Sequence, residues 1–213
     1  MSQLSHVFPA GAYPAAGYVR LEGLACWRGL LPVFDNLTAE VKAGEALALY
    51  GANGSGKTSL LRILAGLLPP QAGAAATALG RCDVHYLGHA DGLKSALTVS
   101  ETCAMLAGFY AAPAFDEAAL LAALGLAGRG AQTVGDLSAG QRRRLALARL
   151  LIAPRALWLL DEPLTALDAS GRDLLAALAA AHLAAKGMII AASHEPLSFA
   201  SLRLDLDASK GGA

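Results

Sequence analysis

Gly51-Ala52-Asn53-Gly54-Ser55-Gly56-Lys57-Thr58 fits the pattern GxxxxGK[ST] at every fixed position. It follows the apolar run Ala46–Tyr50 directly and precedes a stretch with apolar residues at three- and four-residue spacing. That strand, loop and helix order is the frame in which the motif carries meaning. The glycines let the backbone turn so that successive N–H groups face one anion, and the helix adds the positive end of its dipole. Lys57 brings a positive charge to β- and γ-phosphates, and Thr58 offers a hydroxyl to Mg2+. An ordinary glycine turn beside a solvated lysine would not require all four fixed positions in this frame.

A second element, Leu157-Trp158-Leu159-Leu160-Asp161-Glu162, is an apolar strand ending in two carboxylates. Charge placed at the carboxyl edge of a sheet needs a cation. Asp161 is expected to hold Mg2+ through water and Glu162 to orient or deprotonate the attacking water. An N-cap acid pair is the weaker reading, because Pro163 follows. At Leu137-Ser138-Ala139-Gly140-Gln141, Ser138 opens a predicted helix over 138–152, and its cap and free N–H groups form a further anion site. A small domain with one phosphate loop already has its site, so this one makes most sense facing phosphate held by another copy of the chain.

These motifs lie in 213 residues that are 55% hydrophobic and 16% charged, enough for one compact α/β domain. Seventeen basic and seventeen acidic residues leave no net field for a polyanion, which argues against nucleic acid as a partner. Cys26, Cys82 and Cys103 lack metal-ligand spacing and read as buried thiols of a reducing compartment. Residues 1–18 hold neither the charged nor the apolar part of a signal peptide and are expected to be a loose tail. No uninterrupted apolar stretch approaches the ~18 residues that span a bilayer, so a soluble chain is expected.

Apolar runs at Ala46–Tyr50, Val84–Leu87, 157–160 and Met188–Ala192 alternate with predicted helices over 57–67, 99–110, 116–124, 138–152 and 170–185. The alternation predicts a largely parallel sheet with helices on both faces. Leu202, Leu204 and Leu206 alternate with Arg203, Asp205 and Asp207, as an edge strand would. Residues 68–80 read as a loop-rich connection.

Residues 51–58, 137–141 and 157–162, with Ala166-Leu167-Asp168 and His194, occur in the order and spacing of ABC ATPases. Over about residues 19–199 the chain resembles that family. The resemblance implies a P-loop NTPase fold with a mostly parallel central sheet, a small antiparallel β part and a helical subdomain at about 92–136. It implies one nucleotide-binding domain over 19–207, with tails at 1–18 and 208–213. Two copies would sandwich two ATP molecules, each between the Gly51 to Ser59 segment of one copy and Ser138, Ala139, Gly140 and Gln141 of the other. Asp168 falls in the D-loop, and His194 would contact the γ-phosphate beside Glu162 and Lys57. A histidine at a strand end is otherwise a satisfied structural residue.

His89 stands where these ATPases place the glutamine of the Q-loop. A neutral imidazole still bonds to Mg2+-bound water, whereas protonation would repel the metal. The adenine-stacking position falls at Trp27 or Arg28, with Arg28 aligned, against a core tryptophan beside a surface arginine. Tyr86-Leu87-Gly88-His89, Gly92-Leu93-Lys94, the signature stretch and Ser193-His194-Glu195-Pro196-Leu197 resemble the CcmA family, the ATP-binding subunits of cytochrome c maturation. That resemblance implies a peripheral ATPase on the cytoplasmic face of the bacterial inner membrane, paired with an integral subunit of the CcmB type. Its turnover would drive haem export or release of a haem-loaded chaperone.

Another ABC importer or exporter subunit would share every catalytic residue. A non-transport member would need a coiled-coil insertion, tandem domains or a basic surface, and a dead partner would not keep Lys57, Asp161, Glu162 and His194. The connection 68–84 is alanine-rich, so the antiparallel part is expected to be reduced. Phe109, Tyr110 and Phe115 are partner contacts or plain core packing, and Arg142, Arg143 and Arg144 are expected on a solvated helix face.

Overall fold

The computed structural model describes residues 13–14, 16–29 and 31–207, apart from the side chains of Arg28, Leu31 and Arg81. The tail expected at 208–213, and most of that at 1–18, lies outside the described residues. The chain divides into two compact units. Among the described residues, one comprises residues 13–89 with Arg155–Pro163 and 179–207, and the other Ala90–Pro154 with Leu164–Leu178.

The first unit holds two sheets. β1 (Tyr18–Arg28), β2 (Leu31–Lys42) and β4 (Ala72–Thr77) form an antiparallel sheet in the order β2-β1-β4. β3 (Ala46–Tyr50), β5 (Val84–Leu87), β6 (Leu157–Asp161), β7 (Met188–Ala192) and β8 (Leu202–Asp205) form a parallel sheet in the order β5-β6-β7-β3-β8. The helix α1 (Lys57–Leu64) packs on this sheet. Its Leu60 and Leu61 share one core with Phe34, Leu49, Leu157, Leu159 and Ile190. β3, β6 and β7 are apolar on both faces because they are covered on both, and β8 is the half-buried edge.

The segment 68–80 departs from expectation. It contains β4, paired to β1 from Val19↔Thr77 to Ala25↔Ala72, so the antiparallel part is a full three-stranded sheet. Alanine has little β preference and shows no alternation, so β1 imposes this strand where the local sequence does not announce it. α1 also ends three residues earlier than predicted: Gly66 at φ 69 terminates it, with its N–H donating to Ile63 and that of Leu67 to Arg62.

The second unit is helical, with α2 (Val99–Phe109), α3 (Glu117–Ala123), α4 (Ala139–Ala146) and α5 (Ala148–Ile152); α6 (Ala169–Ala184) begins in it. Thr98 and Glu101 form a reciprocal cap on α2. The helix expected over 138–152 is two helices, because Leu147 donates to Arg144 and Leu150 to Leu147, tighter three-residue bonds that apolar periodicity does not reveal. Among the described residues no helix is long and apolar enough to cross a membrane.

On the far face of β6, Trp158 stacks on His182 of α6 with ring centroids 3.9 Å apart and planes at 11°. Tyr13 meets the same imidazole edge-on at 5.1 Å, and the His182 Nε2 lies 3.2 Å from the Met188 carbonyl. Burial pushes the His182 imidazole down to about 4. A base that folds with a lowered value binds its proton more readily when unfolded. Its contribution is therefore complete above the ordinary value of about 6.5 and is lost as pH falls toward 4. His182 is expected to remove about 2 kcal/mol of stability between pH 7 and pH 5. Urea unfolding of the wild type and of His182→Phe at both values checks this, since the variant should lose that much less.

Candidate nucleotide site

The carboxyl ends of β6, β7 and β3 are neighbours, with Asp161↔Ala192 and Leu49↔Ala192 in register. This places the phosphate loop, the acid pair and the segment reaching His194 on one edge. Gly56 precedes α1 with φ 104, and a Cβ there would lie 2.5 Å from the Val33 side chain, so only glycine fits. Lys57 is 7% exposed, and its ammonium donates to the carbonyls of Gly51 at 2.7 Å and Ala52 at 3.2 Å, inside its own loop. A nucleotide phosphate would draw the ammonium from these carbonyls.

The Thr58 hydroxyl donates to Asp161 Oδ2 at 2.9 Å across 103 positions of sequence. A hydroxyl and a buried carboxylate, both hard oxygen donors, fit Mg2+, which retains waters and takes few protein ligands. Glu162 follows with φ 49, a left-handed conformation that costs about 1–3 kcal/mol outside glycine, and its N–H donates to Ala192 at 3.0 Å. Its Oε1 lies 3.4 Å from His194 Nε2, with His194 half-exposed. His89 is exposed two residues beyond β5.

Residues 51–59, Asp161, Glu162, His194 and His89 thus belong to one unit. Gly51 to Ser59 form the loop and first turn of α1, with Ser55 buried beneath the loop. Trp27 is 45% exposed and so is not core, and its backbone N–H donates to Gln71 Oε1 at 3.1 Å. The Arg28 side chain lies outside the described residues, as does any statement on its contact with adenine. One loop contact escaped sequence reasoning: the N–H of Ala52 donates to Asp207 Oδ2 at 2.6 Å. Asp207 reads as the wet residue of an edge strand, and only the parallel pairing of β8 with β3 brings it to the loop.

The signature residues lie in the helical unit. Ser138 Oγ accepts from the N–H of Gln141 at 3.2 Å, and Gln141 Oε1 accepts from the N–H of Ser138 at 2.9 Å. This leaves the Ser138 proton and the N–H groups of Ala139 and Gly140 available to an anion. Ser138, Gly140, Gln141 and Asp168 line one cavity of about 300 Å³.

The three arginines after Gln141 are not a solvated face. Arg142 donates to the Leu137 carbonyl, and Arg143, 2% exposed, bonds Asp91 at 2.9 Å. Arg144 bonds Asp168 directly and donates to Ser170 Oγ at 2.6 Å. The Arg144 guanidinium and the Gly171 N–H hold the Asp168 carboxyl below its ordinary value. The helical surface also exposes Phe109, with Tyr110 edge-on at 5.0 Å and Phe115 half-buried, so Phe109 at least is not core. Cys82 is exposed where a buried thiol was expected, whereas Cys26 and Cys103 are buried.

The ABC transporter family matches residues 34–165. The cytochrome c biogenesis ATP-binding export protein CcmA of Rhodopseudomonas palustris (strain BisB5) is 48% identical over 193 residues, covering 88% of this chain and 96% of the relative. The protein of the same name from Bradyrhizobium diazoefficiens is 48% identical over 185 residues, covering 84% and 92%. Among solved structures, an ABC transporter ATP-binding protein from Pyrococcus furiosus superposes with a TM-score of 0.80 at 24% identity, covering 90% of this chain and 98% of its own. A dimeric ATP-binding cassette in a post-hydrolysis state bound to ADP and Pi superposes with a TM-score of 0.74 at 23% identity, covering 88% and 93%.

Proposed function

We propose that this chain, which belongs to the ABC transporter family and within it to the CcmA cytochrome c biogenesis ATP-binding proteins, works as one of a pair of ATP-hydrolysing subunits. Its complex would serve haem export or the release of a haem-loaded chaperone during cytochrome c assembly. The observation that carries the ATPase reading is the meeting of the Thr58–Asp161 pair and the Glu162–His194 pair at one sheet edge. The pathway reading is supported by 46–48% identity to CcmA proteins along nearly their whole length.

In this reading the loop N–H groups and Lys57 hold the triphosphate, and the adenine stacks at the Trp27 or Arg28 position, with Arg28 aligned. Thr58, and Asp161 through water, would hold Mg2+, which would supply positive charge to the β- and γ-phosphate groups. Glu162 takes a proton from the attacking water as the γ-phosphoryl group leaves ADP, and His194 donates a hydrogen bond to the transferring group. His89 bonds to water on the metal. Ser138, Ala139, Gly140 and Gln141, with the D-loop Asp168 of the same copy beside them, contact the γ-phosphate held by the second copy. About residues 92–136 act as a helical subdomain within one nucleotide-binding domain, and an integral subunit of the CcmB type holds the pair on the cytoplasmic face of the inner membrane.

If His89 stands in for the Q-loop glutamine, His89→Gln should retain turnover, since both side chains bond water, while His89→Ala should lose about tenfold. Steady-state phosphate release from the two variants checks this, and equal rates for Gln and Ala would remove His89 from the site.

Affinity purification of the tagged chain from detergent-solubilised membranes of its own source, followed by mass spectrometry, tests the pathway. Recovery of a polytopic membrane subunit with cytochrome c maturation proteins is the expected result. Recovery of an unrelated permease would favour another ABC importer or exporter and overturn the assignment.

A further inference from the structure

Arg144 was expected to face solvent, yet four features converge on it. Its guanidinium bonds Asp168 and, at 2.6 Å, the Ser170 hydroxyl, and its side chain is 16% exposed against 65% for Asp168. The Gly171 N–H donates to the same Asp168 oxygen at 2.9 Å. Gly125 stands where a Cβ would come within 2.7 Å of Arg144 Nη1, and a Cβ at Gly171 would lie 3.3 Å from its Nε. Both backbones have given up a side chain where the guanidinium passes.

The helix bearing Arg144 also meets the D-loop directly. A Cβ on Gly140 would lie 3.1 Å from the Ala166 carbonyl, and Ala166 itself is left-handed at φ 64. The signature helix and the D-loop therefore form two walls of the cavity lined by Ser138, Gln141 and Asp168, joined at the top by close backbone packing and below by an ionic clamp. An exposed aspartate in a strained loop samples many positions unless something fixes it, and a planar guanidinium with two acceptors fixes it in direction as well as distance.

We infer that Arg144 is a positioning residue for the D-loop: it locks Asp168 and the 166–170 turn to the signature helix, so that both walls reach the second copy's nucleotide as one piece. This rests on the paired-subunit reading above. Arg144 belongs to the helical unit, whereas the nucleotide loop and Glu162 belong to the other. Its loss should leave the ATP affinity of a single copy alone and lower the steps that need two copies.

The test uses the full-length chain. Arg144→Gln should bind a fluorescent ATP analogue within twofold of wild type and keep its melting temperature, while kcat falls about tenfold or more. In the Glu162→Gln background, the ATP-dependent dimer should dissociate at correspondingly lower dilution. Arg144→Lys, which keeps the charge but bonds one acceptor, should fall between. Adding Asp168→Asn to Arg144→Gln should produce no further loss, because both remove the same clamp. A wild-type kcat in Arg144→Gln, a parallel fall in ATP affinity and melting temperature, or multiplying losses in the double variant would each overturn the inference. The Glu162→Gln chain with Arg144 intact reports on pairing alone, so absence of a dimer there overturns the proposed function, whereas loss confined to the Arg144 variants supports the clamp.

Discussion

Glu162→Gln is expected to bind ATP normally, lose turnover by roughly 10³-fold, and accumulate as an ATP-dependent dimer. The amide has the size and reach of the carboxylate and accepts the same left-handed backbone at φ 49, so the edge formed by β6 and β7 should stand. What it lacks is the basicity to take a proton from water. Thr58, Asp161 and Lys57 are untouched, and with the γ-phosphate intact, the contacts from Ser138 and Gly140 of the second copy have nothing to release them. Phosphate release measures the first part and size-exclusion chromatography with and without ATP the second. A variant turning over at the wild-type rate would take Glu162 out of its role. A variant that is inactive yet monomeric would keep the base and overturn the sandwich.

The parts of this site that were legible in the amino-acid sequence are those whose chemistry forces particular residues into local spacing. Eight consecutive positions make the phosphate loop, because backbone N–H groups can surround an anion only when the glycines between them permit the turn. Asp161 and Glu162 stand out because an apolar strand should not end in two charges without a reason. Ser138 and Gln141 stand out because a reciprocal cap needs a three-residue interval, which the structure shows.

What was not legible depends on partners far along the chain. Arg143 and Arg144 look alike in sequence, yet one is buried against Asp91, 52 positions away, and the other clamps Asp168, 24 positions away. Charge periodicity on a helix reports which residues share a face, and says nothing of what covers that face. Asp207 reads as an exposed edge residue and becomes a loop contact only through 155 positions of intervening chain. β4 was missed for a related reason: alanine and glycine carry no alternation, and the strand exists because the edge of β1 needs hydrogen-bond partners.

Gly187→Ala is expected to be strongly destabilising for so small a change. A Cβ at this position would lie 2.2 Å from both Cε1 and Nε2 of His182, well inside van der Waals contact. The imidazole has nowhere to go, since Trp158 lies flat against it at 3.9 Å, Tyr13 closes its edge and His182 is fully buried. The backbone is equally fixed: the Gly187 N–H donates to the His182 carbonyl at 2.9 Å, and the Gly187 carbonyl accepts from Gly44 at 2.9 Å. Either the stack opens or the start of β7 shifts, and β7 leads directly to His194. Overpacking of a closed core site of this kind costs about 3 kcal/mol or more, which for a chain of this size should lower the melting temperature by about 10 °C. His182→Ala alone should also destabilise, through the cavity left beside Trp158. Combining it with Gly187→Ala should cost less than the sum, because the new methyl enters the space the imidazole vacated. Thermal denaturation of the three variants measures the cycle, and simple additivity would show that the clash is not with His182.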